Sequence, residues 1–150
     1  MRFLATKELG RLCKWLRILG YDCEYFTEDN LVSLTIKSLQ EDRVILTRNV
    51  RLSERAGFKV VHIKHDLVKE QLKQVLNELK LKIGEEGMFT RCVICNLSLE
   101  DVKKEEAEDK VPPFVYKMHD DFVRCPKCGR VYWHGTHWGN VREYINGIYR

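Results

Sequence analysis

The chain has no run approaching the ~18 consecutive apolar residues that a membrane-spanning helix needs, so no stretch of its 150 residues reads as a membrane segment. Its first residues, Met1-Arg2-Phe3-Leu4-Ala5-Thr6-Lys7-Glu8, lack the apolar core of a secretory signal. The expectation is a soluble cytoplasmic protein in a reducing compartment, where a disulfide framework is disfavoured. A strong excess of one charge is missing too. The formal net charge is only +4, and four thiolates around one zinc ion would lower it by about two. Net charge alone therefore does not establish a nucleic-acid partner.

What is present is a pair of Cys-x-x-Cys turns, Cys92/Cys95 and Cys125/Cys128. Pro126 presets one turn dihedral and Gly129 permits a left-handed residue on leaving the second turn. Four thiolates in two spaced turns satisfy a closed tetrahedral site, so Cys92, Cys95, Cys125 and Cys128 are read as ligands of a structural Zn2+ rather than as two disulfides. Cys13, on the apolar face of a helix, and Cys23, in a strand, read as small buried hydrophobes.

A small zinc module with few apolar residues needs its metal as a staple, which argues for two domains. The boundary is expected near Gly84-Glu85-Glu86-Gly87, giving an α/β domain over 1–86 and a zinc-ribbon domain over 87–150 with an aromatic and basic tail. In the first, Arg2 to Ala5 reads as a strand. Leu9, Leu12, Cys13, Leu16 and Leu19 mark a helix stopped by Gly20. Strands follow at 22–26, 43–47 and 58–63. Helices are expected after an Asn30 cap, carrying Leu31, Leu34, Ile36 and Leu39, then from about Val50 to Ala56, and from Asp66 to about Leu81. Alternating strands and helices predict a parallel sheet flanked by helices.

Ligands of such sheets bind beyond the carboxyl ends of the strands. Those ends present Thr6-Lys7-Glu8, Thr27-Glu28-Asp29, Thr47-Arg48-Asn49 and Lys64-His65-Asp66. Carboxylates converging there would suit Mg2+ or Mn2+ in phosphodiester hydrolysis. Asp29 and Asp66 are the best-placed acids, with Asp22 and Glu28 near them. Plainer readings stand beside these: Asp66 as a helix cap, Asp29 as a loop acid, Asp22 as a turn former, Asn49 as a cap for the short helix. Lys7, Arg11, Lys14 and Arg17 recur at helical spacing, a stripe that can track phosphates or simply be solvated. Between the cysteine pairs, Glu100 to Lys110 reads as a solvated excursion ended by Val111-Pro112-Pro113. Tyr132 and Trp133 are expected to pack, and His137 is a candidate RNA contact beside Arg130 and Arg142.

Taken in order, Phe3-Leu4-Ala5, Leu9-Gly10-Arg11-Leu12, Trp15-Leu16-Arg17, Leu19-Gly20-Tyr21-Asp22, Leu46-Thr47-Arg48, Arg91-Cys92 with Cys95, and Cys125-Pro126 through Trp133, Gly135, His137 and Trp138 resemble the Mut-seven C-terminal ribonuclease domain. The resemblance spans nearly the whole chain and implies a PIN-like α/β fold followed by a zinc ribbon, with metal-dependent cleavage of RNA. The family carries an Asp after Phe-Leu-Ala and another after Leu-Thr-Arg, where this chain has Thr6 and Asn49. One expectation is a nuclease using Asp22, Asp29 and Asp66, with Lys7, Arg11, Lys14, Arg17 and Arg48 on the phosphates. The alternative is a catalytically degenerate module that binds RNA or a ribonucleoprotein. A third is a protein-interaction adaptor acting through the ribbon.

Overall fold

The computed structural model describes residues 1–54, 57, 59–134 and 136–148, with the backbone alone for 136–139. Four short parallel strands form one sheet in the order β2-β1-β3-β4: β1 is Arg2–Thr6, β2 Asp22–Phe26, β3 Arg43–Thr47 and β4 Val60–His62. Side chains alternate across it because successive strand residues point to opposite faces. Phe3, Ala5, Val44 and Leu46 join one core with α1 (Gly10–Ile18), α4 (Val68–Glu78) and α7 (Thr136–Ile148). Leu4 and Ile45 turn the other way, onto Leu34 of α2 (Leu31–Glu41) and Leu52 of α3 (Val50–Ser53). Apolar on both faces, β3 is buried along its whole length, as a central parallel strand should be.

The predicted parallel sheet flanked by helices is therefore present, with several local differences. Of the apolar residues expected to seat α2, only Leu34 is fully buried, while Ile36 and Leu39 are about half exposed. At about 100° per residue, Leu34 and the pair Ile36 and Leu39 lie on different sides of the helix. The helix α4 begins after Leu67, so Asp66 is not its cap. Asn30 and Asn49 do cap α2 and α3, their side-chain oxygens accepting from Val32 and Ser33 and from Leu52. The expected helix end at Ala56 and strand start at Phe58 lie outside the described residues.

A second sheet of three antiparallel strands follows, in the order β5-β6-β7, from Glu100–Val102, Phe122–Arg124 and Val131–Trp133. It packs on Ala107 of α5 (Lys104–Ala107) and Val115 of α6 (Pro113–Met118). Glu100 to Lys110 is thus a strand and a helical turn rather than a simple excursion. Pro113 opens α6 instead of ending a helix, because a residue without an N–H costs nothing at the first helical position. The large core draws on residues from both sides of Gly84-Gly87: Met88, Val141, Ile145 and Ile148 all enter it. Trp15 of α1 stacks on Tyr144 of α7 with ring centroids 4.1 Å apart and planes 10° apart.

Gly20 terminates α1 with φ +95, and a Cβ there would stand 2.1 Å from the backbone oxygen of Gly87. The glycine supplies both the left-handed turn and the close approach that brings 84–87 against α1. Gly57 has nearly the same backbone, φ +98, with nothing within 4 Å. Gly57→Ala is expected to cost only the left-handed penalty of about 1–2 kcal/mol. Gly20→Ala should cost a further ~2 kcal/mol or more from backbone overlap, and the difference in urea midpoint between the two variants measures it.

Candidate functional site

The two Cys-x-x-Cys turns are built alike. In the first, the Cys92 N–H donates to Leu97 O at 2.8 Å and the Asn96 N–H to Cys92 O at 2.9 Å. In the second, Cys125 N–H donates to Arg130 O and Gly129 N–H to Cys125 O, both at 3.0 Å. Four residues past each leading cysteine stands a left-handed residue, Asn96 with φ 63 and Gly129 with φ 75. These folds aim all four sulfurs inward, to within 4.8 Å of one another.

Sulfurs bonded to one zinc at about 2.3 Å in a tetrahedron lie about 3.8 Å apart, against about 2.05 Å in a disulfide. Cys92 and Cys128 are separated by 3.8 Å, and all six cysteines are free. The donor set therefore fits one tetrahedral ion such as zinc. Cys92 also accepts from the Cys95 N–H at 3.4 Å and lies 3.3 Å from the Tyr132 hydroxyl. Burial works to raise its pKa, but the hydroxyl of Tyr132 and the N–H groups of Cys95 and Ile94 win and bring it down to about 7. A partly ionised thiol suits metal capture.

The cysteine cluster is fastened to the edge of the parallel sheet. Asn96, buried at 6% exposure, accepts from the Cys23 N–H at 3.1 Å and donates to Asp22 at 2.7 Å. Asn replaces the cheaper glycine at that left-handed position, and its side chain is what reaches β2. Arg17 donates to Cys23 O and to Val93 O, both at 2.8 Å, and to Ile94 O at 3.2 Å. It is buried at 9% exposure and engaged with backbone carbonyls, so the expected phosphate stripe does not include it. Lys14 and Arg11 remain exposed on α1.

Asp22 opens β2, at the amino end of the sheet. Four residues at about 3.3 Å each separate it from the carboxyl end, so it is no neighbour of Asp29 or Asp66. Its carboxylate takes Arg43 Nη1 at 2.8 Å and Nη2 at 3.4 Å. Burial pushes its pKa up, yet the bonds from Arg43 and Asn96 hold it below the usual carboxylate value.

The carboxyl end of the sheet carries a different cluster. Neighbouring strands β1 and β3 diverge into their connections there, which is the switch point where open parallel sheets bind ligands. Glu8 occupies it. One oxygen accepts from Thr6 Oγ1 at 2.6 Å and from the Arg48 N–H at 3.1 Å, joining the two strand ends. Burial favours its neutral form, but these bonds and the Arg48 charge hold its pKa below the ordinary value. In sequence Glu8 stands two residues beyond Thr6, out of register with the end of the first strand. A 3-10 turn over Lys7–Leu9 folds it back over Thr6, and nothing in the sequence announces that turn.

Asp29 and Asp66 at this rim are each paired with a cation. Asp29 pairs with Lys7 at 2.5 Å and Asp66 with Arg48 at 2.7 Å, both carboxylates above 80% exposed. The Asp29 bond raises the Lys7 pKa. The loop carrying Asp66 is held by buried Gln71 and Gln74, which donate to His65 O and His62 O. Among the described residues, the four cysteines are the one group of three or more Cys, His, Asp or Glu with metal-ligand spacing. The expected catalytic set of Asp22, Asp29 and Asp66 is not brought together, since Asp22 stands at the opposite end of the sheet and the described rim acids form no group of three ligating side chains. Glu8 and Asp66 line, with Lys7, Arg11, Lys69 and Tyr25, a cleft of about 380 Å³. Lys69 and Tyr25 escaped the sequence reading because neither belongs to a motif. His137 lies in α7, with its side chain outside the described residues.

A family model described as the Mut7-C RNAse domain matches residues 1–145. No curated protein and no solved structure matches the chain. Among the described residues no helix is long and apolar enough to cross a membrane.

Asn96→Gly keeps the left-handed backbone and removes both side-chain bonds. It is expected to destabilise the metal-loaded protein by about 1–3 kcal/mol although glycine is the better residue for that φ, as read by chemical denaturation. Asp22 has a depressed folded pKa, so its contribution is complete above the unfolded value of about 4 and is lost as pH falls through the lower folded value. Asp22→Asn should be less stable than the parent at neutral pH and should lose less stability between about pH 4 and 2. Thermal melts across that range compare the two.

Proposed function

We propose an RNA-binding role without divalent-metal cleavage for this chain, which belongs to the Mut7-C RNAse domain family. Family membership over 1–145 supports RNA as the ligand. The observation that carries the loss of cleavage is that Asp22 stands at the opposite end of the sheet while Glu8, Asp29 and Asp66 each engage a partner in the chain itself: Glu8 the Thr6 hydroxyl and the Arg48 N–H, Asp29 Lys7, Asp66 Arg48. Acids engaged this way reach a hard cation only by giving up a partner or by turning a second oxygen to it, with part of their charge already balanced by Lys7 and Arg48.

In this reading Lys7, Arg11 and Lys69 hold phosphates along the cleft, with Lys14 extending the track on α1. The exposed Tyr25 ring offers a face to an unpaired base, so the preferred ligand is single-stranded RNA. Arg48 holds its own acid and the strand ends in place rather than leading the contact. The four cysteines hold structural zinc, which contributes folding energy and keeps the Arg91–Asn96 turn against β2.

A second reading, metal-dependent RNA cleavage, has Glu8 in its favour. That carboxylate stays ionised at the junction of β1 and β3, where hydrolytic chemistry would be centred. The two readings separate in one experiment on labelled single-stranded RNA with Mn2+. Salt-sensitive binding without cleavage is expected, and the Lys7→Ala/Arg11→Ala/Lys69→Ala variant should flatten the dependence of log K on log salt by about two. Cleavage that disappears in Glu8→Gln or Asp66→Asn would overturn the binding-only reading and restore the nuclease.

A further inference from the structure

A cavity of about 380 Å³ lies away from the rim, between the three-stranded sheet and Phe89. Phe89 and Tyr132 supply aromatic walls, and Asp101 and Asp121, on the same face of the sheet as Tyr132, line it as well. Asp120 beside them is paired with Lys104 at 3.0 Å. Asp101 and Asp121 have no cationic partner among the described residues. Segment 100–121 holds eight acidic residues against four lysines, in a chain whose 26 Lys and Arg outnumber its 22 Asp and Glu.

Such a lining repels phosphate, which removes this face from the RNA track. An aromatic ring attracts a cation through its negative face, and a planar guanidinium both stacks on the ring and donates from its edge to a carboxylate. A cavity of this volume takes a long side chain but not a folded domain. We propose that it binds the guanidinium of an arginine presented by a basic segment of a partner protein. The guanidinium lies against Tyr132 and Phe89 with its N–H groups directed to Asp101 and Asp121. This site stands whether or not the rim binds RNA.

Calorimetric titration of the zinc-loaded protein with acetyl-Gly-Arg-Gly-amide tests it, with the citrulline peptide as the uncharged isostere and spermine as a free polyamine. The arginine peptide should bind saturably and about tenfold or more tighter than the citrulline peptide. Asp101→Asn/Asp121→Asn should lose that preference while zinc content and melting temperature hold, since neither carboxylate supports a contact in the fold. Equal binding of the two peptides, no binding of either, or unchanged binding by the Asn variant would overturn the site. Tighter binding of spermine than of peptide, with the same dependence on the two Asp residues, would overturn the protein partner and assign the cavity to polyamines.

Discussion

The buried guanidinium of Arg43 is the contact from which the rest of the architecture is set out. With its side chain 5% exposed, it donates to Phe3 O on β1 at 2.9 Å, to Asp22 on β2 at 2.8 Å and to Glu41 at 2.9 Å. Three strands are tied at their amino ends by one residue. Removing one partner from a buried ion pair commonly costs about 3–5 kcal/mol because the other charge is left unpaired. Asp22, so fixed, orients Asn96, and Asn96 holds the first cysteine turn in its left-handed bend. Sheet register therefore passes to the metal cluster through two side chains, and Arg17 provides a second fastening from α1.

This arrangement divides the sheet into an end that holds and an end that is open to ligand. Charges at the amino end are desolvated, paired and bonded to backbone, so they serve the fold. Charges at the carboxyl end are mostly exposed, and their ion pairs are of the kind that contributes little to stability. Lys7 can exchange Asp29 for a phosphate at small cost. The substitutions that distinguish this chain from the family it resembles act at the same end. Thr6 donates its hydroxyl to Glu8, and Asn49 turns its amide oxygen onto the Leu52 N–H. Both side chains are absorbed into local structure where carboxylates would project toward a cation.

The alternation of strands and helices, the central placement of 43–47 and the four cysteines were legible because each rests on a local rule: apolar runs, caps and paired turns. Asn30 and Asn49 were readable as caps for the same reason. What escaped was contact at long sequence separation. Nothing local distinguishes Arg17 from Lys14, yet one is buried against Val93 and the other faces solvent, because helix rotation is decided by Leu12, Leu16 and Cys13 in the core. Asp22 looked like a member of an acidic crevice until strand direction placed it at the wrong end. Glu8 looked displaced until a tight turn returned it to the junction. The α2 face of Ile36 and Leu39 shows the converse limit, apolar periodicity that is genuine but does not point at the core.

Helix α7 adds the last constraint. Its Val141, Ile145 and Ile148 enter the same core as α1 and α4, and Arg142 pairs with Glu85. The chain leaves the α/β body after Met88, builds the cysteine cluster and the three-stranded sheet, and returns. The inserted sheet is thus held at both of its chain ends as well as through Arg17 and Asn96. An element anchored this way keeps a constant relation to the rim, so the basic cleft and the acidic aromatic cavity face their ligands from one frame. In the roles proposed for the two sites, opposite charge would sort their ligands: like-charge repulsion would keep an RNA backbone out of the cavity and turn a basic protein segment away from the lysines of the cleft. Selectivity of that kind requires no motion, only that the two surfaces stay apart, which the bonds from Arg17 and Asn96 secure.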